Sequence, residues 1–87
     1  SFPTRRSSDL PIHILCIPKE HVEDFFSYDS SKMPAMSDFI KDTAYKQGLG
    51  EDGFRLIVNT KENSGQSVFH LHFHIIAGAK LKWDKLI

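Results

Sequence analysis

The segment SVFHLHFHII, residues 67–76, places His70, His72 and His74 at every second position. On an extended strand such residues share one face, roughly 6.5–7 Å apart. Three imidazoles make a poor core face, and three readings of the row remain open. A histidine-rich solvated sheet face is the plainest. A metal site is the second, because imidazoles at alternate strand positions are good zinc ligands. Three side chains on one straight strand diverge, however, so a third ligand would come from elsewhere. No Asp or Glu lies within seven residues of the triplet. The third reading is a phosphate site. The preceding turn ends in Gly65-Gln66-Ser67, and Asn59 stands on its far side. Gly65 allows close backbone approach, and Gln66, Ser67 and Asn59 offer hydrogen-bond donors. A neutral imidazole is a good nucleophile at phosphorus near neutral pH. Adjacent imidazoles can donate to phosphate oxygens and pass a proton to a leaving group. Nucleophile, donors and acid together suit phosphoryl or nucleotidyl transfer without a metal.

The surrounding elements must hold that row in place. IHILCI (12–17) is a β-rich apolar run stopped by Pro18, and reads as a strand. Residues 18–29 read as a turn with one or two helical turns. Met36, Phe39, Ile40, Thr43, Ala44 and Gln47 fall at helical spacing before Gly48, predicting an amphipathic helix over 33–48 with a glycine stop. GFRLIVN (53–59) and 67–78 read as two strands of a hairpin joined by the polar turn 60–66. Alternation then gives the second strand an apolar face of Phe69, Leu71, Phe73, Ile75 and Ala77, which seats the helix. The order strand, helix, strand, strand predicts an α+β domain with a mainly antiparallel sheet.

The whole chain narrows the function classes. It has 87 residues and a formal net charge of zero, with its Lys and Arg scattered, so no basic field exists to hold a nucleic acid backbone. A single nucleotide needs only a local pocket. The lone Cys16 lies in an apolar run and reads as a buried core residue. No apolar run approaches ~20 residues, and no signal-peptide pattern opens the chain, so neither a transmembrane helix nor a secretory leader is expected. A cytoplasmic setting fits the single Cys. The first ten residues, SFPTRRSSDL, have no period and resemble either translated adapter sequence or a surface loop. Residues 11–87 form the expected single domain. Without a strand ahead of it, 12–17 is expected to show an unpaired edge and the chain to be marginally stable.

HLHFHII resembles the histidine triad motif. PIHILCIPKEH (11–21) is similar to that family's upstream strand and Pro-Lys-x-His turn, and residues 53–83 to its hairpin and tail. The Gly-Gln-Ser-Val lead-in and the Gly-x-x-Leu-x-Trp tail resemble the nucleotide-binding branch. The resemblance implies a histidine-triad-type fold, here without the branch's first hairpin, and a homodimer that needs no cofactor. It further implies hydrolysis of nucleoside phosphoramidates or adenylates, with purine nucleotides as partners. It makes His72 the nucleophile that becomes nucleotidylated, with His70 and His74 as its proton and phosphate partners. Asn59, Gln66 and Ser67 match phosphate-binding positions, His13 an upstream histidine behind the triad, and His21 the turn. Trp83 matches a tail residue near the partner subunit's site. Arg5 stands where the branch carries a ribose-binding acid, Ala77 where it has a first glycine, and Asp84-Lys85 where its ending is proline-rich. Two rival readings are a nucleotide-binding scaffold with negligible turnover and a histidine-rich metal-binding protein.

Overall fold

The computed structural model describes residues 4–6 and 12–78. Trp83 and the rest of the 79–87 tail lie outside the described residues. Among the described residues, four strands form one antiparallel sheet: β1 (Thr4–Arg6), β2 (Ile12–Cys16), β3 (Arg55–Val58) and β4 (Phe73–Ala77), in the spatial order β1-β2-β4-β3. The helix α1 (Met33–Lys46) follows a 3₁₀ turn at Ser30–Lys32. This is the expected α+β architecture.

Two expectations are corrected. The strand at 12–17 has no bare edge over Ile14–Cys16, because Thr4–Arg6 pairs there; Arg5 sits at the register position of Leu15. The strand carrying the histidines is shorter than the alternation suggests. It starts at Phe73, so only His74 belongs to it, and β3 and β4 are joined by the long connection 59–72 rather than a tight turn. The reason lies in residues 66–72. They bond to the 18–29 connection instead of continuing the ladder: the Leu71 N–H donates to the Val22 carbonyl at 2.6 Å. Phe69, placed on the apolar face by strict alternation, is 57% exposed.

The helix forms where the apolar spacing is 3.6. Met36, Ile40 and Ala44 are buried on one stripe, with Met33 and Phe39 partly buried beside it. Asp29 caps the preceding turn, its carboxylate accepting from the Ser31 N–H at 2.9 Å. Gly48, with φ +78°, closes the helix in a conformation that other residues rarely adopt. The stripe meets one sheet face built from Ile14, Cys16, Phe73, Ile75 and Ala77, with Leu71 joining from the connection. Cys16 is the buried core residue its apolar run implies. Its thiol hydrogen-bonds Thr43 of the helix, and burial pushes its pKa up to about 11.

Leu71 is fully buried at the point where the connection enters β4. Leu71→Ala is expected to cost about 2–5 kcal/mol, a large share of the roughly 5–15 kcal/mol available to a small domain. A urea titration checks this. An unchanged midpoint would show that Leu71 carries no core weight.

Candidate active site

The face away from the helix carries the histidines. In an antiparallel pair, residues directly opposite share a face. Leu15 is opposite His74, and Ile57 is opposite His74 on the other side. Alternation along β2 adds His13 and Ile17 to that face. The short strand therefore sets His74 among side chains from both of its neighbours, which is why it is half-buried.

Each ring is held by a different partner. The His70 Nε2–H donates to the Pro18 carbonyl at 3.2 Å. The His72 Nδ1–H donates to the His70 carbonyl at 2.7 Å. Because a carbonyl can only accept, this bond puts the His72 proton on Nδ1 and leaves Nε2 as a lone pair whenever the ring is neutral. His74 lies between Asn59 and His13. The Asn59 amide nitrogen is 3.5 Å from His74 Nε2, and His74 Nδ1 is 2.7 Å from His13 Nε2. An amide nitrogen can only donate, so neutral His74 carries its proton on Nδ1 and passes a hydrogen bond to His13. The His13 Nδ1 is buried with no partner among the described residues. The rings also touch: His72 and His74 meet edge to face at 4.8 Å between centroids, His13 and His74 stack at 4.9 Å, and His21 tilts against His70 at 5.3 Å.

Burial, with His72 and then His13 adding like-charge repulsion, pushes the His74 pKa down to about 4. His74 is therefore a neutral hydrogen-bond relay at pH 7. Among the described residues, no three His, Cys, Asp or Glu side chains converge as they would around a metal ion. A pocket of about 280 Å³ opens between Leu15, Ile17, Val68, His70 and His72. It has an apolar wall on one side and two imidazoles on the other.

Of the residues singled out from the sequence, His13, His70, His72, His74 and Asn59 are brought together on this face. Gln66 is placed differently. It is buried, its Oε1 accepts from the Lys61 N–H at 2.6 Å, and its Nε2 donates to the carbonyls of Glu23 and Val68 at 2.9 and 3.1 Å. Both ends of its amide are taken up by backbone, so it ties the two connections together. Ser67 is exposed next to it. Sequence reasoning missed the pocket wall of Leu15, Ile17 and Val68, although alternation in IHILCI already set Leu15 and Ile17 on the His13 face. It also missed the ion pair between Lys61 and buried Asp24, at 2.8 Å, for which no sequence signal exists.

An antiparallel sheet backed by one helix, with a histidine row and a small pocket on its open face, defines a histidine triad type of protein. The chain matches the HIT domain over residues 4–81 and belongs to that family. It is similar to the purine nucleoside phosphoramidase of Escherichia coli, 36% identical over 78 residues covering 86% of this chain and 66% of that protein. An uncharacterized HIT-like protein of Helicobacter pylori is 42% identical over 69 residues, covering 79% of this chain and 66% of that one. Among solved structures, a HIT family hydrolase from Legionella pneumophila superposes with a TM-score of 0.86 at 29% identity, covering 94% of this chain and 78% of that one. The chain thus spans just under two thirds of the length of these two sequence relatives. No helix among the described residues is long and apolar enough to cross a membrane.

The neutral state of His74 has a consequence for stability. Its folded pKa is about 4 against an ordinary 6.5, so as pH falls from 6.5 the unfolded chain takes up a proton that the folded chain refuses. Stability is full above pH 6.5, declines between 6.5 and 4, and levels off below. Urea midpoints across that window should fall in the wild type and fall less steeply in His74→Asn. Equal slopes would show that His74 ionises normally in the fold.

Proposed function

We propose that this chain carries the catalytic face of a hydrolase or transferase acting on nucleoside phosphoramidates or related adenylates through a nucleotidyl-histidine intermediate. The observation that carries the reading is the His72 Nδ1–H held on the His70 carbonyl at 2.7 Å. It commits the proton to one nitrogen and leaves the other as a nucleophile beside the pocket. The similarity to a purine nucleoside phosphoramidase supports the choice of substrate class.

In the first step His72 Nε2 attacks the α-phosphorus. A P–N bond to the enzyme forms, and the substrate's own P–N bond, or P–O bond in an adenylate, breaks. The leaving amine takes its proton from solvent water at the open pocket, and the carboxylate of an acyl adenylate leaves without one. His70 lines the pocket with its Nε2–H committed to the Pro18 carbonyl, and we assign the donor role toward the phosphate oxygens to the exposed hydroxyl of Ser67, the residue before pocket-wall Val68. In the second step water attacks the phosphorus and gives one proton up to solvent, the bond to His72 breaks to return the neutral ring, and the nucleoside monophosphate leaves. His74 takes part as a neutral ring: it buttresses His72 edge-on and connects it to His13 and Asn59. Leu15, Ile17 and Val68 give the pocket an apolar wall facing the two imidazoles.

A homodimer belongs to the same proposal. Among the described residues β3 is an edge strand, and Leu56 on it and Phe54 just before it are exposed at 47 and 39%. A second copy would cover them, and sedimentation equilibrium is the check.

His72→Ala removes the nucleophile and little of the phosphate contact. Turnover of an adenosine phosphoramidate is expected to fall by about 10³-fold or more, while nucleotide affinity changes by about tenfold or less. His70→Ala or His74→Ala should cost less, about 10²-fold, by loosening the placement of the His72 ring. Wild-type turnover is expected to persist in excess EDTA. Near-normal turnover in His72→Ala, or chelator inactivation reversed by zinc, would refute the mechanism.

A further inference from the structure

Lys61 is, among the described residues, the one residue other than glycine with a positive φ. Its φ of 63° and ψ of −170° fall in a region that is almost restricted to glycine, because a Cβ there crowds the backbone. Such a conformation persists only where the surroundings hold it. Here they do so from three sides. The Lys61 N–H donates to Gln66 Oε1 at 2.6 Å. Its carbonyl accepts from the Ser64 hydroxyl at 2.8 Å and from the Gln66 N–H at 3.2 Å. Its ammonium, on a side chain 62% exposed, reaches Oδ2 of Asp24, whose side chain is 3% exposed, at 2.8 Å.

The pair is asymmetric, and the asymmetry matters. Two exposed charges would contribute little. A buried carboxylate cannot turn to water, so it fixes the lysine end. Asp24 is itself pinned, its Oδ1 accepting from the Ser27 N–H at 3.0 Å. The Lys61 ammonium first, and the Ser27 N–H and hydroxyl after it, hold the Asp24 carboxyl below the usual carboxylate range.

We propose that Lys61 is a positioning residue for the histidine site: its ion pair with Asp24 holds a glycine-type turn whose geometry sets Asn59 against His74 and Gln66 beneath Val68. Asn59 lies two residues before the strained position and bonds His74. Gln66 lies five residues after it and bonds the carbonyl of Val68, a pocket wall residue. The torsion at Lys61 determines how those two ends are related. If residue 61 relaxed to a negative φ, the amides of Asn59 and Gln66 could not both keep their partners.

Glycine separates strain from charge. Lys61→Gly keeps the turn at no steric cost and needs no ion pair. Lys61→Ala keeps the steric cost and loses the pair. The readout is the set of histidine ring ¹⁵N shifts, which report tautomer and hydrogen bonding whether or not the protein turns over any substrate. Lys61→Gly and Lys61→Arg are expected to retain the wild-type shifts of His74. Lys61→Ala and Asp24→Asn are expected to move them, and adding Lys61→Gly to Asp24→Asn is expected to restore them. Should Lys61→Ala fail to fold, Asp24→Asn and its rescue decide alone. The turnover arm rests on the phosphoramidate reading: kcat should drop about tenfold in Asp24→Asn, the lower part of the range that one strained residue represents, with KM little changed. Unchanged His74 shifts in both Lys61→Ala and Asp24→Asn, or no rescue by Lys61→Gly, would overturn the proposal.

Discussion

The hydrogen bond from the Leu71 N–H to the Val22 carbonyl, at 2.6 Å, is where the histidine site is joined to the fold. His70 and His72 stand just outside β4, so no sheet ladder holds them. What holds them is a seam between the 18–29 and 59–72 connections. The Leu71 bond is its centre, with fully buried Leu71 driven into the core beneath it. Gln66 reaches the Glu23 carbonyl, Lys61 reaches Asp24, and His70 reaches the Pro18 carbonyl along the same seam. Every one of these contacts crosses between two segments far apart in sequence. The alignment of His72 is therefore a tertiary property, inherited from the His70 carbonyl that the seam positions.

The sheet divides two environments, and burial acts on both in the same direction, favouring the uncharged form of a titratable group. On the helix side it keeps the Cys16 thiol protonated, with a pKa of about 11. On the open side it keeps His74 unprotonated, with a pKa of about 4. The outcome for Cys16 is an inert core residue. The outcome for His74 is a ring that accepts from Asn59 and donates to His13 without acquiring charge. In the proposed mechanism, a neutral His74 beside His72 also spares the site a second positive charge.

Much of this was readable from residue types and spacing. The β-rich run before Pro18, the 3.6 spacing of Met36, Ile40 and Ala44, and the Gly48 stop located β2 and α1 because each reflects a local rule. The period of two placed Leu71, Phe73, Ile75 and Ala77 inside and His74 outside. It failed at Phe69 and at the start of β4. Alternation says which side a residue takes if the chain is extended, and it does not say whether the neighbouring segment offers a ladder or a competing carbonyl. Gln66 shows the same limit. Its type is suited to phosphate, yet in the fold its amide is spent on three backbone groups. The Lys61–Asp24 pair is 37 residues apart, and nothing local foretells it.

The central claim is that the lone pair on His72 Nε2, fixed by the proton on Nδ1, forms a bond to phosphorus. Rapid quenching during turnover of a slow adenosine phosphoramidate, without acid, followed by intact and peptide mass analysis, tests it most directly. The expected result is a chain heavier by one adenylyl group, with the added mass mapped to His72 and absent from His72→Ala. An adduct on His70 or His74, or an unmodified chain during sustained turnover, would contradict it.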